Sequence, residues 1–399
     1  MKIRIILPFI SLFLFLIACD STEITPDQAD SFIKYYGSWS ADQGVDIKVF
    51  NSGYLLLATT TKTTGEVAKN TDITVMYLNK YGNLEDEMIH IDGGGNDKAS
   101  KLILTDDGGF MVLGTLYDTS AANQDILMAK YGADLSPEWQ KTIGTNANEQ
   151  GVDMLKYNGG YLLAGNTDKA DAVTGNPQGI WDIYMLKTDE NGNVEWENTF
   201  GAEGDDRSSS IIQHAEGFLI LGVSSSFNEE GQGGDDIIAI KTNYTGGETD
   251  KFTYGSIYDD YGSAALETSE GFLIAGWVEN ISGENADVYL ALVEKDDLHQ
   301  IIWNKSFGKN LNDKAYDVLE KDGTYVVAGA QGSITGDFGY LLTVDGDGNA
   351  IAEHVYGGYN QRLHAIEVLN DGSYILAGTS GQEGNEQVCL IKLNQEGEL

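Results

Sequence analysis

The stretch NGGYLLAG, at residues 158–165, recurs in seven variants along the chain. Each copy places a glycine-, asparagine- or aspartate-containing turn before an aromatic residue, and each continues through aliphatic residues to a glycine, replaced by Ala58 in the first copy. The aromatic residues are Tyr54, Phe110, Tyr161, Phe218, Phe272, Tyr325 and Tyr374, spaced 49 to 57 residues apart. Self-similarity at such a period indicates one supersecondary unit repeated seven times.

Each repeat contains four short apolar runs. In the third repeat they read VDMLKY, GYLLAG, DIYMLKTD and EWENTFG, and glycine, asparagine or aspartate bounds them. Short runs of aliphatic and aromatic residues between such turn residues are typical of β-strands. Four strands in a repeat of about fifty residues indicate a propeller blade. The predicted fold is therefore all-β, a seven-bladed β-propeller of four-stranded blades.

The two ends of the chain predict how the ring closes. The seventh repeat stops at Gly397-Glu398-Leu399, where its fourth strand should begin. Residues 31–37, SFIKYYG, match the fourth-strand pattern of EWENTFG. We expect this N-terminal strand to complete the last blade, which removes an exposed sheet edge. The propeller domain is thus assigned to residues 31–399.

The first 18 residues have the pattern of a lipoprotein signal peptide. Lys2 and Arg4 precede an apolar run at residues 5–17, which is shorter than the roughly 20 residues of a membrane-spanning helix. The following LIAC, at residues 16–19, resembles the lipobox of bacterial lipoproteins, which implies lipid on Cys19. Residues 19–30 would then form a lipidated tether. An ordinary signal peptide with an incidental cysteine is the alternative.

Charge and cysteine content narrow the functional classes. The chain has 62 acidic and 24 basic residues, a net charge of −38, so it repels nucleic acid and can attract cations. Only Cys19 and Cys389 are present, so with Cys19 lipidated no disulfide can form within the chain. Cys389 lies in the apolar run VCLIKL and is predicted to be a core residue.

The complete repeat pattern resembles a family of secreted and lipid-anchored propeller proteins of Bacteroidetes. Its elements are GG(Y/F)-aliphatic-AG, a third strand from aspartate to lysine, a Gly-Asn turn, a tryptophan strand and a final FG, over residues 31–399. The resemblance implies an outer-membrane, lipid-anchored protein at the cell surface. Asp20 also resembles an inner-membrane retention signal of enteric bacteria, but the family resemblance favours surface export.

Acidic residues recur in the segments between repeats. Five lie five positions after a glycine and Asp97 occupies the equivalent place, whereas Arg362 stands in the seventh repeat; the full set is Asp42, Asp97, Glu149, Asp206, Asp260 and Asp313. These carboxylates either hydrogen-bond their own loops or form an acidic ring at the channel mouth that binds calcium. Apart from calcium, no cofactor is predicted. A second series begins the third strand of five repeats, with Gln387 in the last, and its repetition indicates a folding role: Asp72, Asp125, Asp182, Asp236 and Asp287.

Long segments between second and third strands are the expected seat of binding, on the same face as the blade connections. They cover residues 59–71, 166–181, 223–235 and 277–286. Trp181 and Trp277 lie on or beside them and could stack on a sugar or anchor a protein, with blade packing as the alternative. Trp139, Trp196 and Trp303 recur in fourth strands and are predicted to pack between blades.

The sequence contains few candidate catalytic residues, so no catalytic residue is assigned. The five histidines lack metal-binding spacing, and no nucleophile or cofactor motif appears. The predicted function is a surface-exposed lipoprotein that binds, as a scaffold, a protein partner in the outer membrane. A glycan-binding or glycan-cleaving propeller is the alternative, and an enzymatic role stays open. The predicted binding residues are Trp181, Trp277, Asp206, Asp260 and Asp313.

Overall fold

A computed structural model describes residues 30–64, 67–85, 88–170, 180–227, 234–279, 285–309, 311–358 and 360–399, without the side chains of 38–39 and 62–69. The predicted signal peptide and Cys19 lie outside the described residues. Within the described ranges, no helix has the length and apolar character needed to span a bilayer.

The described residues form seven antiparallel sheets of four strands each, which confirms the seven-bladed β-propeller. The first three blades contain β2 (Gln43–Phe50), β3 (Gly53–Thr64), β4 (Val67–Asn79) and β5 (Ile89–Ile91); β6 (Lys98–Leu104), β7 (Phe110–Asp118), β8 (Asn123–Tyr131) and β9 (Pro137–Ile143); and β10 (Glu149–Lys156), β11 (Gly160–Thr167), β12 (Asp182–Asp189) and β13 (Val194–Phe200).

The remaining four blades follow the same order from the innermost strand outward. They contain β14 (Asp206–His214), β15 (Gly217–Ser224), β16 (Asp236–Asn243) and β17 (Glu248–Tyr254); β18 (Asp260–Glu267), β19 (Phe272–Glu279), β20 (Ala286–Val293) and β21 (Ile301–Phe307); β22 (Asp313–Lys321), β23 (Thr324–Gln331), β24 (Phe338–Val344) and β25 (Ala350–Tyr356); and β26 (Gln361–Val368), β27 (Tyr374–Gln382) and β28 (Asn385–Leu393).

The N-terminal strand closes the ring as predicted. β1 (Phe32–Ser40) pairs antiparallel with β28, and Tyr35 lies opposite Cys389. The seventh sheet therefore has the order β1-β28-β27-β26. The outermost strand of the last blade comes from the opposite end of the chain.

The apolar core is divided among the junctions between blades. Seven clusters of buried residues each combine side chains from two neighbouring blades. Leu290 of blade 5, for example, shares a cluster with Val327 of blade 6. Because both faces of each sheet are covered, second strands such as Gly160–Thr167 are buried at every position. This explains why they read as continuous apolar runs rather than alternating ones.

Fourth-strand tryptophans pack on the turns of the next blade. A Cβ at Gly246 would lie 2.6 Å from Trp196, and one at Gly348 would lie 2.8 Å from Trp303. Both glycines also have a positive φ, 79° and 75°, which side-chain-bearing residues rarely adopt. The packing role predicted for these tryptophans is therefore confirmed.

One segment predicted as a loop is largely β-structure. Most of residues 59–71 belongs to β3 and β4, which form a long hairpin in blade 1. The segment begins Thr59-Thr60-Thr61. Threonine is β-branched and favours extended backbone. The length of the segment suggested a loop, whereas this propensity favours a strand.

Candidate binding site at the channel mouth

Backbone hydrogen bonds place the blade connections beside the loops between second and third strands. The amide of Asp97 donates to the carbonyl of Thr71 at 2.8 Å, and the amide of Asp206 donates to that of Trp181 at 2.8 Å. The amide of Asp260 likewise donates to the carbonyl of Asp235. We call this side of the ring the loop face. The opposite side, with the first-to-second and third-to-fourth turns, is the turn face.

The six repeated acids of the blade connections lie beneath the loop face. All are at most 2 % exposed: Asp42, Asp97, Glu149, Asp206, Asp260 and Asp313. Asp313 accepts hydrogen bonds from the amides of Lys309 and Gly332, both at 2.9 Å. Asp260 similarly accepts from the amides of Ser256 and Glu279. Such bonds to the local backbone hold the connections in shape and favour the loop-bonding interpretation of these positions.

Burial affects the ionisation of these acids. It raises the pKa of Asp97, Asp206, Asp260 and Asp313, while the hydrogen bonds that each carboxylate accepts act in the opposite direction. Asp206, for instance, accepts from the amide of Ala202 at 3.0 Å and from the hydroxyl of Ser226 at 2.6 Å. The desolvation cost of these carboxylates is therefore offset by donors that the connections supply.

The assignment of Arg362 to the acid position in blade 7 is wrong. The connection into this blade is one residue shorter, and Gln361, which is fully buried, pairs with Ser380 as Asp206 pairs with Ser224. A Cβ at Gly357 would overlap the Gln361 side chain, as the other connection glycines would overlap acids. Arg362 instead occupies the next position, which faces the channel mouth.

The two acidic series meet at the blade junctions. A Cβ at Gly255 would lie 2.1 Å from Asp236 Oδ1 and 2.7 Å from Asp260 Oδ2, so only glycine fits between these carboxylates. Gly201 and Gly308 lie between equivalent acids. Burial, together with the charges of Asp260 and Asp235, raises the pKa of Asp236 to about 7. Asp236 is thus poised to gain a proton near neutral pH.

One junction has the residues of a possible cation site. Ligand atoms of Asp72, Asp92 and Asp97 all lie within 4.8 Å of one another. Carboxylate oxygens suit a hard cation such as calcium. Asp97 already accepts hydrogen bonds from the amides of Gly93 and Tyr117, so part of its acceptor capacity serves the connection.

The positions after the six repeated acids and after Gln361 form a ring at the channel mouth. Its seven members are partly or fully exposed: Gln43, Lys98, Gln150, Arg207, Tyr261, Lys314 and Arg362. Four are basic and none is acidic, although acidic residues outnumber basic ones 62 to 24 in the chain. We call these residues the mouth ring. Sequence reasoning missed it, although its signal was present one residue beyond each acid.

Aromatic residues join the mouth ring across blades 5 to 7. Trp277 stacks on Tyr261 with ring centroids 5.1 Å apart and meets Tyr316 edge-on at 5.9 Å. The Lys314 ammonium lies 4.5 Å from the centre of the Trp277 ring. Tyr316 in turn contacts the His364 ring at 5.1 Å. Trp277 therefore packs between blades 5 and 6 while remaining partly exposed.

Trp181 lies in a separate group on the loop face, between blades 3 and 4. The guanidinium carbon of Arg207 lies 5.1 Å from its ring centre, and Arg207 Nη2 is 3.7 Å from Asp205 Oδ2. The Trp181 amide donates to Asp205 at 2.9 Å. Trp181 and Trp277 thus share a face, but each contacts its own cation.

A channel runs inward from the mouth ring. Its cavity of about 270 Å³ is lined by residues at β-bulges of the innermost strands, among them Ser100, Ser209, Ser263, Tyr316 and His364. An adjoining cavity of about 240 Å³ contains Lys98, Gln124 and Gln150 and shares Ser100 with the first. The bulges turn these side chains toward the ring axis.

Charged residues deeper in the channel are mutually paired. Lys101 Nζ lies 3.2 Å from Asp153 Oδ1, and this attraction raises the pKa of Lys101 above its usual value. Asp317 accepts from the amide of Ile366 in the next blade at 3.0 Å, and burial raises the pKa of Asp317 to about 6. These groups link neighbouring blades around the axis.

A larger cavity, of about 620 Å³, lies on the turn face between blades 2 and 3. Two ammonium groups line it: that of Lys130 contacts Asp107 Oδ2 and Glu138 Oε2, both at 2.5 Å, and that of Lys156 contacts Asp106. Because both cations already have carboxylate partners, the cavity offers less unsatisfied charge than the channel mouth despite its size.

Comparison with known proteins identifies the fold alone. No family model and no curated protein matches the chain. The chain is similar to the Dos1 propeller, with 12 % identity, a TM-score of 0.53 and coverage of 92 % of this chain and 97 % of that one. It also resembles the β-propeller domain of the Trilobed protease from Pyrococcus furiosus, with 12 % identity, a TM-score of 0.49 and coverages of 90 % and 96 %.

A third similar structure is the Penicillium chrysogenum alpha-L-arabinanase complexed with arabinobiose. It is 12 % identical, with a TM-score of 0.48 and coverages of 92 % and 100 %. At this level of identity a shared propeller does not transfer function. The protein is a seven-bladed β-propeller.

Proposed function

We propose that this protein is a lipid-anchored binding propeller of the cell surface that presents its loop face to a protein partner in the outer membrane. The observation that carries the proposal is a pair of partly exposed tryptophans on one face, each against a cation: Trp181 with Arg207, and Trp277 with Lys314. Tryptophan and arginine are the residues that most often dominate binding energy at protein interfaces.

The blade connections make this surface rigid before any partner binds. Asp206, Asp260 and Asp313 are buried and hydrogen-bonded to their own connections. In the proposed function they position Arg207, Tyr261 and Lys314, which follow them directly, rather than contacting the partner. Side chains ordered in advance lose less entropy on binding.

The path of β1 supports an orientation for the anchored protein. Phe32, at its start, lies against Gly82 in a third-to-fourth turn, while its end leads to the connection at Asp42. β1 therefore runs from the turn face to the loop face, and a tether from Cys19 would arrive at the turn face. An anchor on that side directs the loop face away from the membrane.

The test is crosslinking of the lipidated protein in its native envelope, followed by affinity purification and mass spectrometry. We expect a stoichiometric membrane partner for the wild type and its loss in the variant Trp181→Ala/Arg207→Ala. Lys156→Ala, at a cation on the turn face, is the control that should retain the partner. Recovery of the wild-type protein alone would contradict the proposal.

A glycan ligand is the second candidate, and the aromatic group Tyr261, Trp277 and Tyr316 favours it. Aromatic rings beside hydroxyl and amide groups suit the mixed apolar and polar surface of a sugar. For glycan cleavage, a pair of acids would have to reach the substrate. The repeated acids are buried, so the aromatic group supports glycan binding rather than cleavage by those acids.

Calcium remains a prediction for the acid positions, with Asp72, Asp92 and Asp97 as the group best placed to supply ligands. Calorimetric titration of the chelator-treated protein with calcium tests it. We expect heat of binding and a higher melting temperature, both reduced by Asp92→Asn. The absence of both responses would exclude calcium.

A further inference from the structure

We propose that the channel mouth binds an acidic saccharide through Lys98, Lys314 and Arg362 of the mouth ring. The inference rests on the proposed role of the loop face as a binding surface and adds a ligand class that differs from the protein partner. It concerns the cations of blades 2, 6 and 7, whereas Arg207, the mouth-ring cation of blade 4, contacts Trp181 of blade 3.

The first argument is the state of the three cations. Among the described residues, neither Lys98 nor Lys314 has a carboxylate within 4.0 Å, and the Lys314 ammonium contacts the Trp277 ring. Arg362 Nε lies 3.6 Å from Asp337 Oδ2 but is buried without a hydrogen-bond partner in the described chain. In a protein with 62 acidic residues, such cations are available to an external anion.

Lysines elsewhere show the contrast. The Lys130 ammonium contacts two carboxylates, and Lys187, which is almost completely buried, contacts Glu195 at 3.1 Å. Lys48 contacts both Asp46 and Glu367 inside the channel. These three lysines are paired with carboxylates, whereas Lys98 and Lys314 of the mouth ring have no such partner among the described residues, and Arg362 has only the longer contact with Asp337.

The second argument is that the three cations lie around the same opening. Burial lowers the pKa of His364, and the positive charges of Arg362 and Lys98 lower it further. Burial lowers the pKa of Lys314, the charges of Glu279 and Asp337 oppose this shift, and the charge of Arg362 adds to it.

Geometry gives the same arrangement, because Lys314 contacts Trp277, which meets Tyr316 and through it His364. The cavity of His364 shares Ser100 with the cavity of Lys98, so the three cations lie around one opening. One anionic group entering the channel can reach more than one of them.

The third argument is the lining, which favours a saccharide over a simple anion. Gln150 donates to Gln124 at 2.8 Å, and both line the cavity that holds Lys98. Serine hydroxyls line the channel below, and Tyr316 borders the same space. Amides and hydroxyls satisfy sugar hydroxyl groups, whereas aromatic rings cover the apolar face of a sugar. The cations then select a carboxylated or sulfated sugar.

The experiment uses the full mature chain and isothermal titration calorimetry at low salt. The probes are trigalacturonate and a hyaluronan hexasaccharide, with galactotriose as the uncharged probe and hexaglutamate as the acidic peptide. We expect at least one acidic saccharide to bind and galactotriose to bind at least tenfold more weakly. A higher salt concentration should weaken binding of the acidic saccharide, because salt screens the interaction between its charges and those of the protein.

The variant Lys98→Gln/Arg362→Gln should lower affinity for that saccharide by about tenfold or more, since charge-assisted hydrogen bonds are among the stronger ones. The control Lys141→Gln/Lys156→Gln removes the same charge at sites away from the loop face and should change affinity less than twofold. Thermal melting of both variants verifies that they are folded.

Three outcomes would overturn the proposal: neither acidic saccharide binds, the control weakens binding as much as the mouth variant, or hexaglutamate alone binds. Failure here is separable from failure of the protein-partner proposal. Capture of a membrane partner without saccharide binding would remove the saccharide site alone. Saccharide binding without a captured partner would remove the scaffold function alone.

Discussion

The junctions of blades 1 to 6 and those that flank blade 7 are built from different side chains. Each of the first five junctions joins a third-strand aspartate to a connection acid, as Asp236 is joined to Asp260 around Gly255. Blade 7 instead supplies Gln361 at one junction and Gln387 at the other. Most junctions of the ring therefore contain acidic side chains, whereas the two junctions of blade 7 contain glutamine side chains.

The side chains at the two kinds of junction also form different hydrogen bonds. Asp313 accepts hydrogen bonds from the amide of Lys309 in its own connection and from the amide of Gly332, which follows β23. Gln361 donates to Cys389 Sγ at 2.6 Å, while its Oε1 has no hydrogen-bond partner in the part of the chain that the structure describes. This difference indicates that blade 7 depends less on side-chain acceptors and more on the pairing of β1 with β28.

Removal of the closing strand should have the largest effect. Deleting residues 31–37 removes most of β1 and exposes the edge of β28. We expect a loss of at least about 5 kcal/mol of stability or of cooperative unfolding altogether. Thermal melting by circular dichroism measures it against a chain that begins at residue 30. Unchanged melting would show that β1 does not close the ring.

The deletion can also be followed through Cys389. Burial raises the pKa of this thiol to about 12 in the intact protein, so iodoacetamide should leave it unmodified in the folded state. In the deletion variant, whose β28 has lost its neighbour, alkylation should proceed before global unfolding. Equal protection in both proteins would argue that another segment covers this edge.

A methyl group inside an acidic junction should have the next largest effect. Gly255→Ala would place its Cβ 2.1 Å from Asp236 Oδ1, and we expect a cost of about 3 kcal/mol from the resulting displacement. Gly346→Ala is the matched control, because no atom lies within 4 Å of its Cβ position. Urea unfolding compares the two, and similar costs would mean that the close packing of the junction is relaxed in solution.

The third prediction compares the contribution of the Asp313 hydrogen bonds to stability with that of the Gln361 hydrogen bond. Asp313→Leu leaves the amides of Lys309 and Gly332 without their acceptor and should cost about 2 kcal/mol. Gln361→Met removes only the contact with Cys389 and an oxygen without a partner, so the change should lie within about 1 kcal/mol. Both values come from urea unfolding at pH 7. An equal or larger cost at Gln361 would reverse our view of blade 7.

The smallest expected effect concerns protonation. The folded-state pKa of Asp236 is about 7, above that of an unfolded aspartate at about 3.9. The folded state therefore holds the proton more tightly, so its stabilising contribution is complete below pH 4 and is lost as pH rises through 7. Asp236→Asn should be near neutral at pH 4 and should stabilise the folded state at pH 8, where the wild-type carboxyl group has to ionise in a buried site.

Urea unfolding of both proteins between pH 4 and pH 8 measures this difference, in chelator and again in calcium. Destabilisation by Asp236→Asn at pH 8 in chelator would show that the ionised carboxylate is needed for folding. Destabilisation in calcium alone would indicate that a cation occupies the acidic junction. Either result would show that ionised carboxylates stabilise the acidic junctions in a way that the glutamines of blade 7 cannot.

The blade count, the strands and the closure could all be read from the sequence. Turn residues, strand periodicity and the aromatic of each second strand are local signals, and seven copies reinforce one another. The match between residues 31–37 and other fourth strands, such as EWENTFG, extended that reasoning to closure. The sequence also located the repeated acids and the tryptophans of the candidate surface.

Only the tertiary structure decided what those residues face. The repeated acids turn inward because the donors they reach are amides of the connection and of the segment after the second strand, as Lys309 and Gly332 are for Asp313. The exposed ring therefore lies one residue further on. Counting from Gly357 selected Arg362, but strand pairing puts Gln361 in the acid position. Spacing along a loop does not reveal a one-residue shortening, because the register is set by hydrogen bonds to the neighbouring strand.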